Sequence, residues 1–539
     1  MKKFLLFSMF IITTLASSQE DAWVYFNNKS NAQNYIDNPL QMLSQRALDR
    51  RATQTIALDI KDVPLSPGNI NQIKLSTGIT IMAKSKWLNA LHIRGSQVNI
   101  AALTALPFVE KVIYANHSLN PPGKIQVNAN KPKVVNKFQQ TAVTYNYGNS
   151  ATQIQMLNGH ILHQQNHTGA GKIVAIMDAG FPGVDTATPF QRLRDNNLIL
   201  GGYDFVNNTN NPYTLNSHGT NVLSNMGGYV DGQLVGTAPD AKYYLFITED
   251  VNSENPIEET NWVEAAEMAD SLGVDVINTS LGYFGYDNPN YSYNNSHLNG
   301  TKSFISRGAD VAFSRGMICV TSAGNSGNSA SPYISVPADA LTTLTVGAVN
   351  ASEIKAGFSS IGPTADGRLK PDVMAMGVSA TVATPSGVIT TSNGTSFSGP
   401  ILAGALTSFW SAFPNKKNSE IIQYVKASAD RFSNPNNQYG YGIPDFQAAL
   451  LSALSNTEFE NKNIFKIFPN PAINNITITV PNDLLNKDIV LYNSLGQLVF
   501  TKKIETVIQT VSLDNLSSGL YFYTISSNTN NLQGKIIKN

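Results

Sequence analysis

Cysteine is almost missing from this chain: one, Cys319, stands in 539 residues. A lone cysteine closes no internal disulfide, so stability must come from packing or bound ions. Its place in the apolar string Met317-Ile318-Cys319-Val320, with no histidine close in sequence, makes it a buried strand residue rather than a nucleophile. Net charge is missing as well. Lys plus Arg and Asp plus Glu both number 37, which excludes a general attraction to nucleic acid or to an anionic membrane. No apolar run is long enough to span a bilayer, because the stretch Phe4 to Leu15 falls short of the roughly 20 residues a spanning helix needs.

What is present organises the rest. Lys2 and Lys3 precede that short apolar stretch, and Ala16-Ser17-Ser18 follows it, the pattern of a secretory signal peptide over residues 1–18. Apolar residues at 42% suffice for a sizeable core, and the length predicts two to four domains.

Residues 19–115 combine short alternating strands (Ile79 to Met82, Val109 to Tyr114) with helical pieces (Leu40 to Arg51, Asn99 to Leu106), a small α+β unit. Residues 116–149 carry Pro121-Pro122-Gly123 and little periodicity, as a linker does. From 150 to 455 continuous apolar strands (Ile173 to Met177, Val274 to Ile277, Met317 to Val320, Leu344 to Val346) alternate with helices such as Ile257 to Leu272. Strands apolar on both faces predict an α/β domain, a mainly parallel sheet with helices on each side. After a second linker at 456–463, residues 464–539 alternate at period two between turn signals, which predicts a small all-β sandwich.

The stretch that carries chemistry is Asn393-Gly394-Thr395-Ser396-Phe397-Ser398-Gly399-Pro400, followed by the apolar run Ile401 to Phe413. Small residues let the chain turn sharply and leave the Ser396 hydroxyl uncovered at the start of a buried helix. On its own this serine reads as a helix cap before it reads as a nucleophile. As a nucleophile it needs a base and a group that orients the base. His218, between small residues in Asn216-Ser217-His218-Gly219-Thr220 at a helix start near Asn221, has the right chemistry for the base. Asp178 ends a buried strand in Asp178-Ala179-Gly180, where it either caps a helix or holds the second ring N–H of the histidine. Asn325, in Ser322-Ala323-Gly324-Asn325, follows the Met317 to Val320 strand and is either a turn residue or a donor to a developing oxyanion. A rival set, His160, His163 and His167, shares one helical face; with no Glu between them to act as general base, a solvated helix face is expected there rather than zinc.

Taken together these segments resemble the subtilisin-like (subtilase, peptidase S8) serine proteases, in the family's order Asp178, His218, Asn325, Ser396. Val235-Gly236-Thr237-Ala238-Pro239, Asn278-Thr279-Ser280-Leu281-Gly282, Phe358-Ser359-Ser360, Lys370-Pro371-Asp372-Val373 and Gly440-Tyr441-Gly442 look like further landmarks of it. The resemblance implies a secreted serine endopeptidase, made as a latent precursor and acting through an acyl-enzyme, with Asp178, His218 and Ser396 as triad and Asn325 in the oxyanion hole. It also implies that Ser280, Leu281 and Gly282 pair with an extended substrate peptide and that Ser322, Ala323 and Gly324 line the pocket for the residue before the cut. The alternative is a peptide-binding pseudoprotease. Ala179, Asn221 and Ser398 stand where the family usually has Ser or Thr, His, and Ala. No cofactor or metal is implied for the chemistry, and structural calcium stays open.

Residues 19–115 resemble a subtilase inhibitory propeptide, the other reading being a separate binding domain. The tail resembles the type IX secretion sorting domain of Bacteroidetes on Phe468-Pro469-Asn470-Pro471, Leu491-Tyr492-Asn493-Ser494-Leu495-Gly496-Gln497, Ser518-Gly519-Leu520-Tyr521 and Gly534-Lys535-Ile536-Ile537-Lys538, against a carbohydrate-binding or adhesion sandwich. The implied partners are protein or peptide substrates, the chain's own propeptide and the type IX machinery. The implied location is outside the cell or on its surface.

Overall fold

The structure is a computed structural model that describes residues 19–120, 145–462, 466–468, 470–479, 485–506, 508–526 and 531–539. The signal-peptide reading of residues 1–18 and the centre of the first linker lie outside these residues. Residues up to 450 belong to one compact unit and the described residues of 451–539 to another.

The first unit opens with an antiparallel sheet in the order β2-β3-β1-β4, where β1 is Gln19–Phe26, β2 Ile79–Ser85, β3 Ala90–Ser96 and β4 Val109–Tyr114. Side chains alternate across a strand, and β1 uses both faces. Ala22, Val24 and Phe26 fill this domain's own core with Leu91, Ile93 and Ile100. Trp23 and Tyr25 point the other way, into the core of the following domain beside Trp262 and Phe304. The helix expected over Leu40 to Arg51 is a short turn, Pro39–Gln41, and then α1, Gln45–Gln54, capped by Ser44.

The second domain is built on seven strands in the order β11-β10-β9-β8-β5-β7-β6: β5 Ile173–Asp178, β6 Ile199–Asp204, β7 Lys242–Ile247, β8 Val276–Thr279, β9 Ile318–Ser322, β10 Leu344–Val349 and β11 Val373–Met376. Every pairing in it is parallel. β5 is buried at all its positions, because helices cover both faces. Those that matter for the site are α2 His218–Gly227, α3 Ile257–Leu272, α4 Phe304–Ser314 and α5 Thr395–Ala412. Cys319 is buried in β9 as expected, and burial pushes its thiol well up.

Helix α5 runs through the middle of the domain and is buried from Thr395 to Trp410. Pro400 lies inside it and has no N–H to offer the carbonyl four residues back, which is that of Ser396. The Ser280 hydroxyl fills that place, donating to the Ser396 carbonyl at 3.0 Å. The helix keeps its first turn and ties it to the neighbouring strand end.

α6, Phe446–Lys462, continues through the segment expected as the second linker. The tail consists of two antiparallel sheets. One has the order β12-β13-β16 (Lys466–Phe468, Asn475–Thr479, Ile508–Ser512); the other has the order β15-β14-β17-β18 (Leu498–Lys503, Asp488–Tyr492, Gly519–Ser526, Asn531–Lys538). Ile476, Ile478, Ile489, Leu491, Val511 and Ile536 form the apolar layer of this sandwich. Among the described residues no helix is long and apolar enough to cross a membrane.

Candidate active site

Parallel strands end at a common edge, and the polar residues singled out in the sequence gather there. Asp178 closes β5 and is fully buried. His218 opens α2, its main-chain N–H held by the Asn216 side chain at 2.9 Å. The helix therefore starts three residues earlier than the sequence pattern indicates. The Oδ1 of Asp178 lies 2.7 Å from His218 Nδ1 and also accepts the N–H of Ala179 at 2.8 Å. Gly219 makes this approach possible: a Cβ there would sit 2.5 Å from the Gly180 carbonyl and 3.0 Å from the Asp178 Cβ.

Ser396 lies one residue inside α5, and the ring of the next residue, Phe397, is 6.0 Å from the His218 ring. Its hydroxyl donates to the Ser280 carbonyl at 3.3 Å, and no hydrogen bond joins it to His218 in this conformation. Such contacts commonly close only around a substrate.

Asn325 stands three residues beyond β9 with its Oδ1 occupied by the N–H and hydroxyl of Thr395, at 2.9 and 3.0 Å. This fixes the amide so that Nδ2 remains free to donate. Gly394 faces that nitrogen; a Cβ there would lie 3.6 Å from it, and its φ of +151° with ψ of 154° suits only glycine.

The residues expected to bind peptide divide into two groups. Ser280, Ser322 and Ala323 are buried, and the first two brace α5 through the carbonyls of Ser396 and Thr395. Leu281, Gly282 and Gly324 reach the surface. Ser335, which the sequence reading did not single out, lies between the two stretches: its Oγ is 2.2 Å from where a Cβ on Gly282 would stand and 3.4 Å from one on Gly324. Its loop is drawn in by the pairing of Tyr283 with Val336, which the sequence did not reveal.

The electrostatics single out His218. Burial disfavours its charged form, but the adjacent Asp178 carboxylate and the charge of Glu249 outweigh that, and its pKa is raised above the usual 6.5. Glu249 also escaped the sequence reading, though it follows the end of β7, the strand beside β5. It accepts the Tyr283 hydroxyl at 2.8 Å, and burial together with Glu254 pushes it up to about 8. One oxygen each of Glu249, Glu254 and Glu258 lie within 4.8 Å of one another, the one such group among the described residues that could hold a metal ion. The one oxygen from each makes three of the six to eight that calcium takes, so in this arrangement the group is not by itself a calcium cage.

The rival histidines do not converge, and the solvated face expected for them is not there. His160 and His163 lie on the helix Gly159–Gln164, with His167 beyond its end. His163 is fully buried between the Tyr147 hydroxyl (2.9 Å) and the Thr237 carbonyl (3.1 Å), and burial lowers it to about 4. It is a satisfied core residue.

Comparison with known proteins matches three segments of the chain. The Subtilase family matches residues 169–442, the Bacteroidota peptidase S8 propeptide domain residues 21–133 and the secretion system C-terminal sorting domain residues 466–539. Subtilisin NAT of Bacillus subtilis subsp. natto is 31% identical over 316 residues, covering 58% of this chain and 74% of that protein. Subtilisin of Bacillus pumilus is 31% identical over 300 residues, covering 55% and 97% respectively. Among solved structures, the MycP3 protease of the type VII (ESX-3) secretion system is 19% identical with a TM-score of 0.45, over 61% of this chain and 99% of that one.

Proposed function

This chain belongs to the subtilase family, and from that premise we propose that Asp178, His218 and Ser396 form its working triad. The chain is a serine endopeptidase made with an N-terminal propeptide domain and a C-terminal sorting domain that directs it to the cell surface or beyond. The observation that carries the triad is the 2.7 Å contact of Asp178 with His218 at the sheet edge where α5 presents Ser396.

In this reading Ser396 Oγ attacks the peptide carbonyl while His218 takes its proton. Asp178 holds the ring in the tautomer that leaves Nε2 free and stabilises the imidazolium. Asn325 Nδ2 and the Ser396 N–H receive the developing oxyanion. His218 then returns the proton to the leaving amine, and water releases the acyl group by the same steps. A structural calcium ion, which subtilases commonly carry, takes no part in these steps.

Asn325→Leu tests the oxyanion role. It is expected to lower kcat by about 100- to 1,000-fold with KM little changed, the scale known for the corresponding group in subtilisin. A KM effect with intact kcat would mean that Asn325 binds substrate and nothing more.

The base must be neutral to accept a proton, so activity should rise with pH as His218 deprotonates. Because Asp178 raises that pKa, the rising limb of kcat/KM is expected to have its midpoint above 6.5. A midpoint below 6.5 in the mature enzyme would show that burial prevails over Asp178.

A further inference from the structure

A cavity of about 700 Å³ lies where the propeptide domain meets the second domain, with Lys111 and His117 on one side and His297, Asn299, Lys302 and Arg307 on the other. We propose that it is a binding site for a small oxyanion, of the phosphate class, held by both domains at once.

Two buried side-chain nitrogens on its walls have no partner. Asn299 is 1% exposed; its Oδ1 accepts the N–H and hydroxyl of Thr301 at 3.0 and 2.9 Å, and its Nδ2 is left without an acceptor. His117 Nε2 is buried and makes no hydrogen bond, while the ring as a whole is held against the Tyr291 backbone. Buried polar nitrogens without a partner are uncommon in native proteins, and a bound water or ion is one way in which they are satisfied. The His117 ring also lies 4.5 Å from that of His297, across the boundary between the domains. His297 Nδ1 accepts the Asn294 N–H at 3.4 Å, which leaves its Nε2–H to donate.

Burial lowers both rings below the usual 6.5, so the positive charge of the wall comes from other side chains. Lys111, Lys302 and Arg307 add three positive charges, and Glu259 is the one carboxylate among the lining residues. Both its oxygens are taken, by the Tyr286 and Tyr293 hydroxyls at 2.6 Å each and by the Ile305 N–H at 3.0 Å. Glu259 still carries its own charge and Lys111 pairs with Glu110 at 3.2 Å, so the positive excess on the wall is a single charge, shared between Lys302 and Arg307. Burial, His297 and Lys302 accordingly push His117 down to about 4. An oxyanion with several acceptors would take the orphaned Asn299 Nδ2 and the His297 Nε2–H and offset the remaining charge. Being held from both sides, it would also fasten the propeptide in place.

The test uses the full chain carrying Ser396→Ala, prepared without phosphate and titrated calorimetrically with inorganic phosphate against chloride at equal ionic strength. One site per chain is expected, weakened at least tenfold in His117→Gln and severalfold in Lys302→Ala. Lys302 is exposed, so its removal leaves folding intact even where His117→Gln does not. Heat no different from chloride, or binding that both variants retain, would overturn the proposal. With Ser396 intact, phosphate should lengthen the lag before activity appears, and Lys302→Ala should move that effect to severalfold higher phosphate; an unchanged lag in the unsubstituted chain also counts against it. A chain that never becomes active would instead count against the triad reading, while the heats measured on the Ser396→Ala chain still decide for or against the oxyanion site.

Discussion

Replacing Ser396 by alanine is expected to lower kcat for casein hydrolysis on the order of a millionfold, the scale found when subtilisin loses its serine. The size follows from the division of labour in the site. His218 and Asp178 act through the serine oxygen, so without it their contact at 2.7 Å has nothing to deliver a proton from. What survives is substrate binding and the oxyanion donors, about 1,000- to 10,000-fold over water. Folding should be untouched, because the Ser396 hydroxyl makes one contact of 3.3 Å and the helix is braced through its carbonyl instead. Hydrolysis persisting at more than a hundredth of the original rate would place the nucleophile elsewhere.

Arg51→Met is expected to loosen the propeptide domain by about 3–5 kcal/mol, the usual cost of leaving buried charges unpaired. Arg51 is 2% exposed and reaches Asp62 of its own domain at 2.7 and 3.0 Å and Asp270, near the end of α3, at 2.6 Å. Arg50 also pairs with Asp270 and reaches the Val274 carbonyl, while Arg315 comes from the other side to Asp59 and Asp62. Elsewhere along the contact the charges are fewer: Glu267 receives the Ser85 hydroxyl and the N–H groups of Lys86 and Trp87, and Trp23 stacks on Phe304 at 5.2 Å. The arginine cluster is thus the most highly charged part of the clasp. The loss corresponds to about 150- to 5,000-fold in the equilibrium between docked and released propeptide. It should appear as a shorter lag to activity and as faster hydrogen exchange in α3 of the Ser396→Ala precursor. Lys84→Ala removes an exposed partner of Glu264, at 61% side-chain exposure, and should change neither. Equal effects from the two substitutions would show that the buried cluster does not hold the clasp.

How far these features could be read from sequence depended on whether their cause was local. The run Ile173 to Met177 is apolar throughout, so burial on both faces and a parallel sheet followed, and Asp178 at its end fell at the sheet edge. Ile257–Leu272 forms the helix that its periodicity predicts. His163 was placed on a solvated face because helical spacing tells which residues share a side and not what packs on it. Glu249 follows a strand end just as Asp178 ends one, but the neighbouring strand hid the parallel. Arg50 and Arg51 carry no local signal for burial, since Asp270 lies 219 residues beyond Arg51. The Ser396 hydroxyl turned to Ser280 is likewise a matter of rotamer choice, which no sequence pattern encodes.

Peptide mapping of the mature enzyme after reaction with a fluorophosphonate asks most directly whether the three side chains act together. One adduct per chain, on Ser396, forming far more slowly in His218→Ala, is the result expected. An adduct on another residue, or none in an enzyme that still hydrolyses casein, would contradict the triad.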